Sequence, residues 1–402
     1  MNKELLKKIM NDAQHQKVLA RITELMDAED TEEVSNELHI LALLASEYEE
    51  LHYKIEAPDP VDAILFRMDQ MGLKPKDMVQ YLGSKSKVSE ILNHKRPLTI
   101  NMIRNLNKGL GIPADILLGE ENRVLPEEIE GIDGLKPLIK EMLDKKYISF
   151  KGTLNEAKER AEELIRDFLS GITLQELDPM LCRQNTRMKT KVDKYAMIVW
   201  QRQVLHLAEK NEIDTEFSKE NLSDSFFDGL KKLSILKNGP ALAIEYLAKH
   251  GVNLVINENF SKTYLDGAAM QFKGEKPIIA LTLRHDRIDN FWFSLFHELA
   301  HIALHFTDDK NLFLDDLDIH GATIDEMEKE ADKFARDKLI TPEIWAEIKN
   351  SKEPHKITEI AKKLQLHHAI IMGRIRFEED NYKLFSSIVN KCKVREHFHG
   401  DL

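Results

Sequence analysis

The residues best equipped for chemistry are His297-Glu298-Leu299-Ala300-His301, which fit the pattern H-E-x-x-H. On a helix, residues four apart project from one face, so both imidazoles can reach a single ion, and this pattern takes Zn2+. The glutamate between them leans toward the open coordination position, where it can act as general base on a water. The surroundings strengthen the assignment. Between Phe291 and Leu304 the only ionisable residues are His297, Glu298 and His301, and apart from Ser294 the rest are apolar. Such a helix is buried. A buried glutamate is expensive unless an ion and a water-filled cleft receive it. The bland alternative is a satisfied pair of core histidines.

A catalytic zinc usually takes three protein ligands. His305 continues the histidine stripe, but His297 and His305 are about 12 Å apart along a helix axis, too far to share an ion. The H-E-x-x-H-x-x-G-x-x-H pattern fails as well, because Leu304 and Thr307 stand at its glycine and last histidine. The third ligand therefore comes from another segment. The expected helix over 326–339 offers Glu330, 29 residues after His301, with Glu328 as runner-up. Met327, Ala331, Phe334 and Ala335 form its inward side.

The elements that must position these groups follow from hydrophobic patterning. Strands are expected at 252–256, 263–272 and 277–283, then a helix over 291–306 and an irregular acidic loop over 307–325. Upstream, 121–238 reads as a helical connector with no chemical motif. Residues 59–120 read as a cluster of short helices over 61–71, 75–82, 84–93 and 99–110, punctuated by Gly72, Gly83 and Gly111. Residues 1–58 form an acidic helical region closed by Pro58-Asp59-Pro60. The expected domains are thus 1–58, 59–120, 121–238 and 239–402. The fold class is mainly α with a small α+β domain at the C-terminal end.

The net charge of −12 argues, for the whole chain, against nucleic-acid binding. Its distribution reverses that argument. Residues 21–60 hold two basic and twelve acidic residues, whereas 61–119 hold nine basic and five acidic. The start of the chain lacks the apolar core of a secretory signal, and no apolar run is long enough to span a membrane. The cysteines, Cys182 and Cys392, are 210 residues apart and suggest small apolar packing residues rather than a disulfide framework. The chain reads as cytoplasmic.

Two resemblances emerge from these residues. The segment LTLRHDRIDNFWFSLFHELAH (281–301), followed by EADKFA (330–335) and LHHAIIMGR (366–374), resembles the ImmA/IrrE family of zinc metallopeptidases. That resemblance implies Zn2+ held by His297, His301 and Glu330, with Glu298 as the catalytic base. In the related thermolysin-like enzymes an aspartate follows the third ligand by four residues. Here Phe334 occupies that position after Glu330, which leaves Asp332 and Asp337 as weak alternatives. His285, His368, Arg374 and Tyr382 are open alternatives for stabilising an oxyanion. The segment GSKSKVSEILNHKRPLT (83–99) resembles the Xre-like helix-turn-helix of HigA-type antitoxins. It implies a second helix lying in the major groove, with Ser84, Lys85, Ser86, Lys87 and Ser89 toward base edges and Lys95 and Arg96 on phosphates.

Together these imply an antitoxin-type transcriptional regulator joined to a zinc endopeptidase that cuts a helix-turn-helix repressor or antitoxin. The expected partners are operator double-stranded DNA, a toxin or repressor protein, a protein substrate and a second copy in a homodimer, with no membrane. The rival reading is a non-proteolytic toxin–antitoxin regulator whose metallopeptidase fold acts as a sensor.

Overall fold

A computed structural model describes residues 7–29, 31–53, 58–119, 126–127, 129–174, 176–177, 192–211, 213–272, 274–307, 312–315 and 326–398. Cys182 and most of the expected acidic loop lie outside these. The chain divides into two compact units, 1–127 and 128–402.

In the first unit, helices α1 (Asp12–Met26) and α2 (Glu32–His52) each begin on a side-chain cap, Asn11 and Thr31. They pack through Val18, Leu25, Leu41, Ala45 and Tyr48. Polar pins add to the contact: Tyr48 and Tyr53 both donate to Asp12, and His15 meets Glu49 at 2.8 Å. A separate core gathers five short helices, α3 (Pro60–Gln70), α4 (Val79–Leu82), α5 (Lys85–Leu92), α6 (Ile100–Leu110) and α7 (Ala114–Leu118). Ile64, Met78, Leu82, Ile91 and Leu106 are its fully buried centre. Of the expected 75–82 helix, only the second half is helical. Asp77 accepts the Lys74 N–H, which makes 74–78 a turn rather than a helical start. Between α4 and α5, Gly83 adopts φ +99°, a conformation a side chain would strain, and Ser84 then caps α5.

The second unit is organised by a four-stranded sheet, β1 (Asn253–Ile256), β2 (Gly267–Met270), β3 (Ile278–Leu281) and β4 (Leu312–Asp315), in the order β1-β3-β2-β4. β1 runs parallel to β3, and β2 is antiparallel to both β3 and β4. β4 falls in the segment expected to be an irregular loop. Four residues in an acidic stretch carry little periodicity, and only pairing with β2 reveals the strand. Successive residues of a strand face opposite sides, and here both sides are covered. Ile279 and Leu281 enter one core, whereas Ile278 and Ala280 enter the other. The second core is built with helices α8 (Ile139–Asp144), α9 (Leu154–Glu159), α10 (Ala161–Phe168) and α11 (Lys194–Lys210). The first core is built with α12 (Asp224–Lys232), α13 (Gly239–Ala248), α14 (Ile288–Ala300), α15 (Glu326–Leu339), α16 (Pro342–Ile348), α17 (Pro354–Lys363), α18 (His368–Glu378) and α19 (Ser386–Val389). The architecture is mostly helical with one small mixed sheet, as the sequence implies. Among the described residues, no helix is long and apolar enough to cross a membrane.

Candidate metal centre

Helix α14 and the turn that continues it supply the H-E-x-x-H residues, of which the three polar ones are buried: His297 1%, Glu298 1% and His301 0% exposed. The helix is apolar on nearly every side because it lies between the sheet and helices α15 and α18. It ends in a π turn, His301–His305, closed by the Phe306 N–H donating to the His301 carbonyl. Such widened turns are uncommon and concentrate at functional sites.

Three donor atoms converge beside α14. His297 Nε2 and His301 Nε2 are 3.1 Å apart. Glu328 Oε2 lies 3.2 Å from His297 Nε2 and 3.6 Å from His301 Nε2. A tetrahedral ion with bonds of about 2.0–2.1 Å holds its ligands about 3.3 Å apart. The triangle therefore fits Zn2+ in size as well as in chemistry, since two imidazoles and a carboxylate are common zinc donors.

Glu330, the sequence-derived third ligand, is not in this triangle. It is 64% exposed and its carboxylate meets His305 Nε2 at 3.0 Å. Helical geometry explains the change. At about 100° per residue, Glu328 sits about 20° from Ala335 at the centre of the buried stripe, whereas Glu330 sits about 140° away. The stripe itself, with Ala331, Ala335 and Leu339 buried, is as expected.

The position of Glu328 beside the two histidines also accounts for the missing aspartate. Asp332 follows Glu328 by four residues, one turn on, and its Oδ1 lies 3.0 Å from His297 Nδ1. Asp332 also pairs with Arg336 at 3.5 Å. Phe334 instead packs against the edge of the core, its ring meeting Phe227 edge-on. His301 Nδ1 has its own neighbour, His305 Nδ1 at 3.0 Å. Phe313 of β4 stacks on the His301 ring at 4.3 Å. Burial holds His305 below the ordinary histidine range, with the neighbouring His301 adding to the effect and Glu330 opposing it. The sequence offers Asp332 only as one of two alternatives, and His305 is set aside there as a ligand with no other role assigned. The E-x-x-x-D spacing and the four-residue histidine step were the available signals.

Glu298 lies against the sheet at Gly267. A Cβ on Gly267 would stand 2.2 Å from Glu298 Oε1, so any side chain there would force the carboxylate to shift. Asp266, next to Gly267, pairs with His285 at 3.8 Å. Of the four oxyanion alternatives, Arg374 is engaged elsewhere: it stacks over Trp345 and donates to the Arg336 and Ile340 carbonyls. Tyr382 is 46% exposed, with its carbonyl accepting from Arg376, and His368 stacks on His367.

Two other groups of potential ligands occur among the described residues: His367, His368 and Cys392, and the exposed Asp59, Asp62 and His94. In the first, His367 Nδ1 accepts the Ala369 N–H, so the neutral ring carries its proton on Nε2 and offers no lone pair.

In the first unit, Ser84 caps α5 by accepting the Lys87 N–H, and Ser86 donates to Glu90 at 2.9 Å. Arg96 is held by Glu90 at 2.5 Å, which also keeps the Glu90 carboxyl below its ordinary range. Lys85, Ser89 and Lys95 are exposed, and Lys87 is half-buried.

The family model Peptidase_M78, described as an IrrE N-terminal-like domain, matches residues 248–371. No curated protein and no solved structure matches the chain. The matched span contains β1 to β3, α14 and α15, and with them the whole donor triangle. It supports a metallopeptidase-type function for that part of the chain.

Proposed function

We propose that the chain is an antitoxin-type DNA-binding regulator whose second unit is a zinc-dependent endopeptidase. The substrate is the helix-turn-helix region of a repressor or antitoxin, in another copy of this chain or in a related protein, and cutting it relieves repression. The observation that carries the hydrolytic reading is the triangle formed by buried His297 and His301 with half-buried Glu328, with Glu298 on the same turn of α14. When bound there, Zn2+ supplies Lewis acidity toward the scissile carbonyl and makes a water more acidic. Glu298 takes the proton from the attacking water and returns it to the leaving amine nitrogen. Asp332 accepts the Nδ1 proton of His297, which keeps the Nε2 lone pair of that ring directed into the triangle. Buried apolar residues around α14 keep bulk water away.

The DNA-reading part rests on α5, whose N-terminal turn presents Ser84, Lys85 and Ser86 to solvent. Its operator would be double-stranded and palindromic, read by a homodimer, with a toxin or repressor protein as further partner.

The test is a cleavage assay with the zinc-loaded chain, alone and with DNA. The wild type yields a zinc-dependent fragment, and Glu298→Gln slows its appearance by about 10²–10⁴-fold. A fragment formed at the wild-type rate in that variant overturns the proposal. A zinc-replete, DNA-binding wild type that yields no fragment points to the non-proteolytic regulator.

A further inference from the structure

We propose that His305 and Glu330 form a positioning chain for His301, fixing which ring nitrogen of His301 carries the proton. This rests on the reading of His297, His301 and Glu328 as the cation site.

The argument is one of donors and acceptors. Two imidazole nitrogens 3.0 Å apart, as His301 Nδ1 and His305 Nδ1 are, form a hydrogen bond only if one carries a proton and the other does not. At the far end of the row, His305 Nε2 faces Glu330 Oε2 at 3.0 Å. An ionised carboxylate can only accept, so His305 donates there from Nε2. A neutral His305 protonated on Nε2 has a bare Nδ1, which must accept from His301 Nδ1. His301 is then left with its lone pair on Nε2, the atom that faces His297 and Glu328. The reversed pattern would put a proton on His301 Nε2, inside the triangle, and exclude the cation.

The backbone and the neighbouring rings hold this row in place. The π turn at 301–305 sets the two rings side by side, with centroids 5.1 Å apart. Phe313 lies over the His301 ring at 4.3 Å and near His305 at 5.8 Å. The two ligand histidines are thus oriented by different devices. His297 has its carboxylate directly, in Asp332. His301 reaches its carboxylate through an intervening imidazole, and that carboxylate, on Glu330, is at the surface.

The test measures zinc dissociation constants on the full chain by chelator competition, and the visible spectrum of the Co2+-loaded protein. His305→Phe keeps a ring but removes the acceptor. It should raise the zinc dissociation constant about 10–100-fold and alter the Co2+ spectrum. His305→Asn places Oδ1 where Nδ1 stood and should restore affinity to within about 3-fold of wild type. Glu330→Ala changes only an exposed side chain, so it tests the same chain without disturbing the core. It should weaken zinc binding about 3–10-fold with the metal-free melting temperature unchanged. Wild-type affinity in both His305→Phe and Glu330→Ala, while Glu328→Ala loses zinc, leaves the triangle standing and overturns the positioning chain. The positioning chain also falls if His305→Asn binds zinc as weakly as His305→Phe. Wild-type zinc affinity in Glu328→Ala overturns the triangle itself, and the chain with it.

Discussion

Gly267→Ala tests the placement of Glu298 without touching a ligand. The added Cβ would stand 2.2 Å from Oε1, 3.0 Å from Cδ and 3.2 Å from Cγ of Glu298. Ordinary contact starts near 3.4 Å, so the nearest atoms must separate by roughly 1.2 Å. The strand cannot retreat, because β2 is hydrogen-bonded to β3 on one side and β4 on the other. The carboxylate must therefore move, although it is almost wholly buried. Overpacking of this kind costs about 1–3 kcal/mol, and large domains lose about 2–4 °C of melting temperature per kcal/mol. The assay is a double-mutant cycle on the metal-free chain, comparing Gly267→Ala alone with Gly267→Ala in a Glu298→Ala background. The destabilisation should largely vanish in the second background, giving a coupling energy of about 1–3 kcal/mol. In the cleavage assay, displacing the base by about 1 Å should cost about 10²-fold in rate. An equal loss of stability in both backgrounds would refute the reasoning, because Glu298 would then not be what the methyl group meets.

Three further outcomes are expected. Glu328→Ala should lose the stoichiometric zinc that Glu330→Ala retains, as read by elemental analysis after dialysis. His367, held by burial at about 4 against an ordinary 6.5, binds fewer protons folded than unfolded, so stability should fall as pH drops through this window, by up to about 3 kcal/mol. His367→Asn, which keeps an acceptor for the Ala369 N–H, should flatten that acid limb in urea titrations compared with wild type. For the proposed operator complex, Lys95→Ala should weaken binding and reduce the slope of log K against log salt by about 1, which filter binding across a salt series would show; an unchanged slope removes Lys95 from the phosphate contacts.

Much of the site is legible in the sequence because it is local. The His297–His301 step is a property of one helix, and the apolar residues around it announce its burial. The register of α15 is harder to read. Glu328 and Glu330 are two residues apart on the same helix, and choosing between them needs the angular centre of the buried stripe. Phe334 shifts that centre if it is weighted equally with Ala331 and Ala335, yet it only borders the core. Strand β4 is not legible at all, since its order comes from pairing with a strand more than forty residues away in sequence. His305 is visible as part of a stripe, but its service to His301 depends on a π turn, and no residue pattern at 301–305 distinguishes that turn from an ordinary helical end. In the first unit, helices ending at Gly83 and Gly111 are readable from the glycines. The turn at 74–78 is hidden by a proline that suits either a turn or a helix start.

The double coverage of the sheet bears on how this protein can be taken apart. Residues 248–371 carry the complete donor triangle, yet Val255, Phe260, Leu265, Ala268, Met270, Ile278 and Ala280 are sheltered by side chains from 132–208. A fragment trimmed to the hydrolase-like portion would present that apolar surface to water and would be prone to aggregate. Any natural cut that frees an active second unit should therefore fall before about residue 130, where the two units meet in sequence, and not at the sequence boundary near 239.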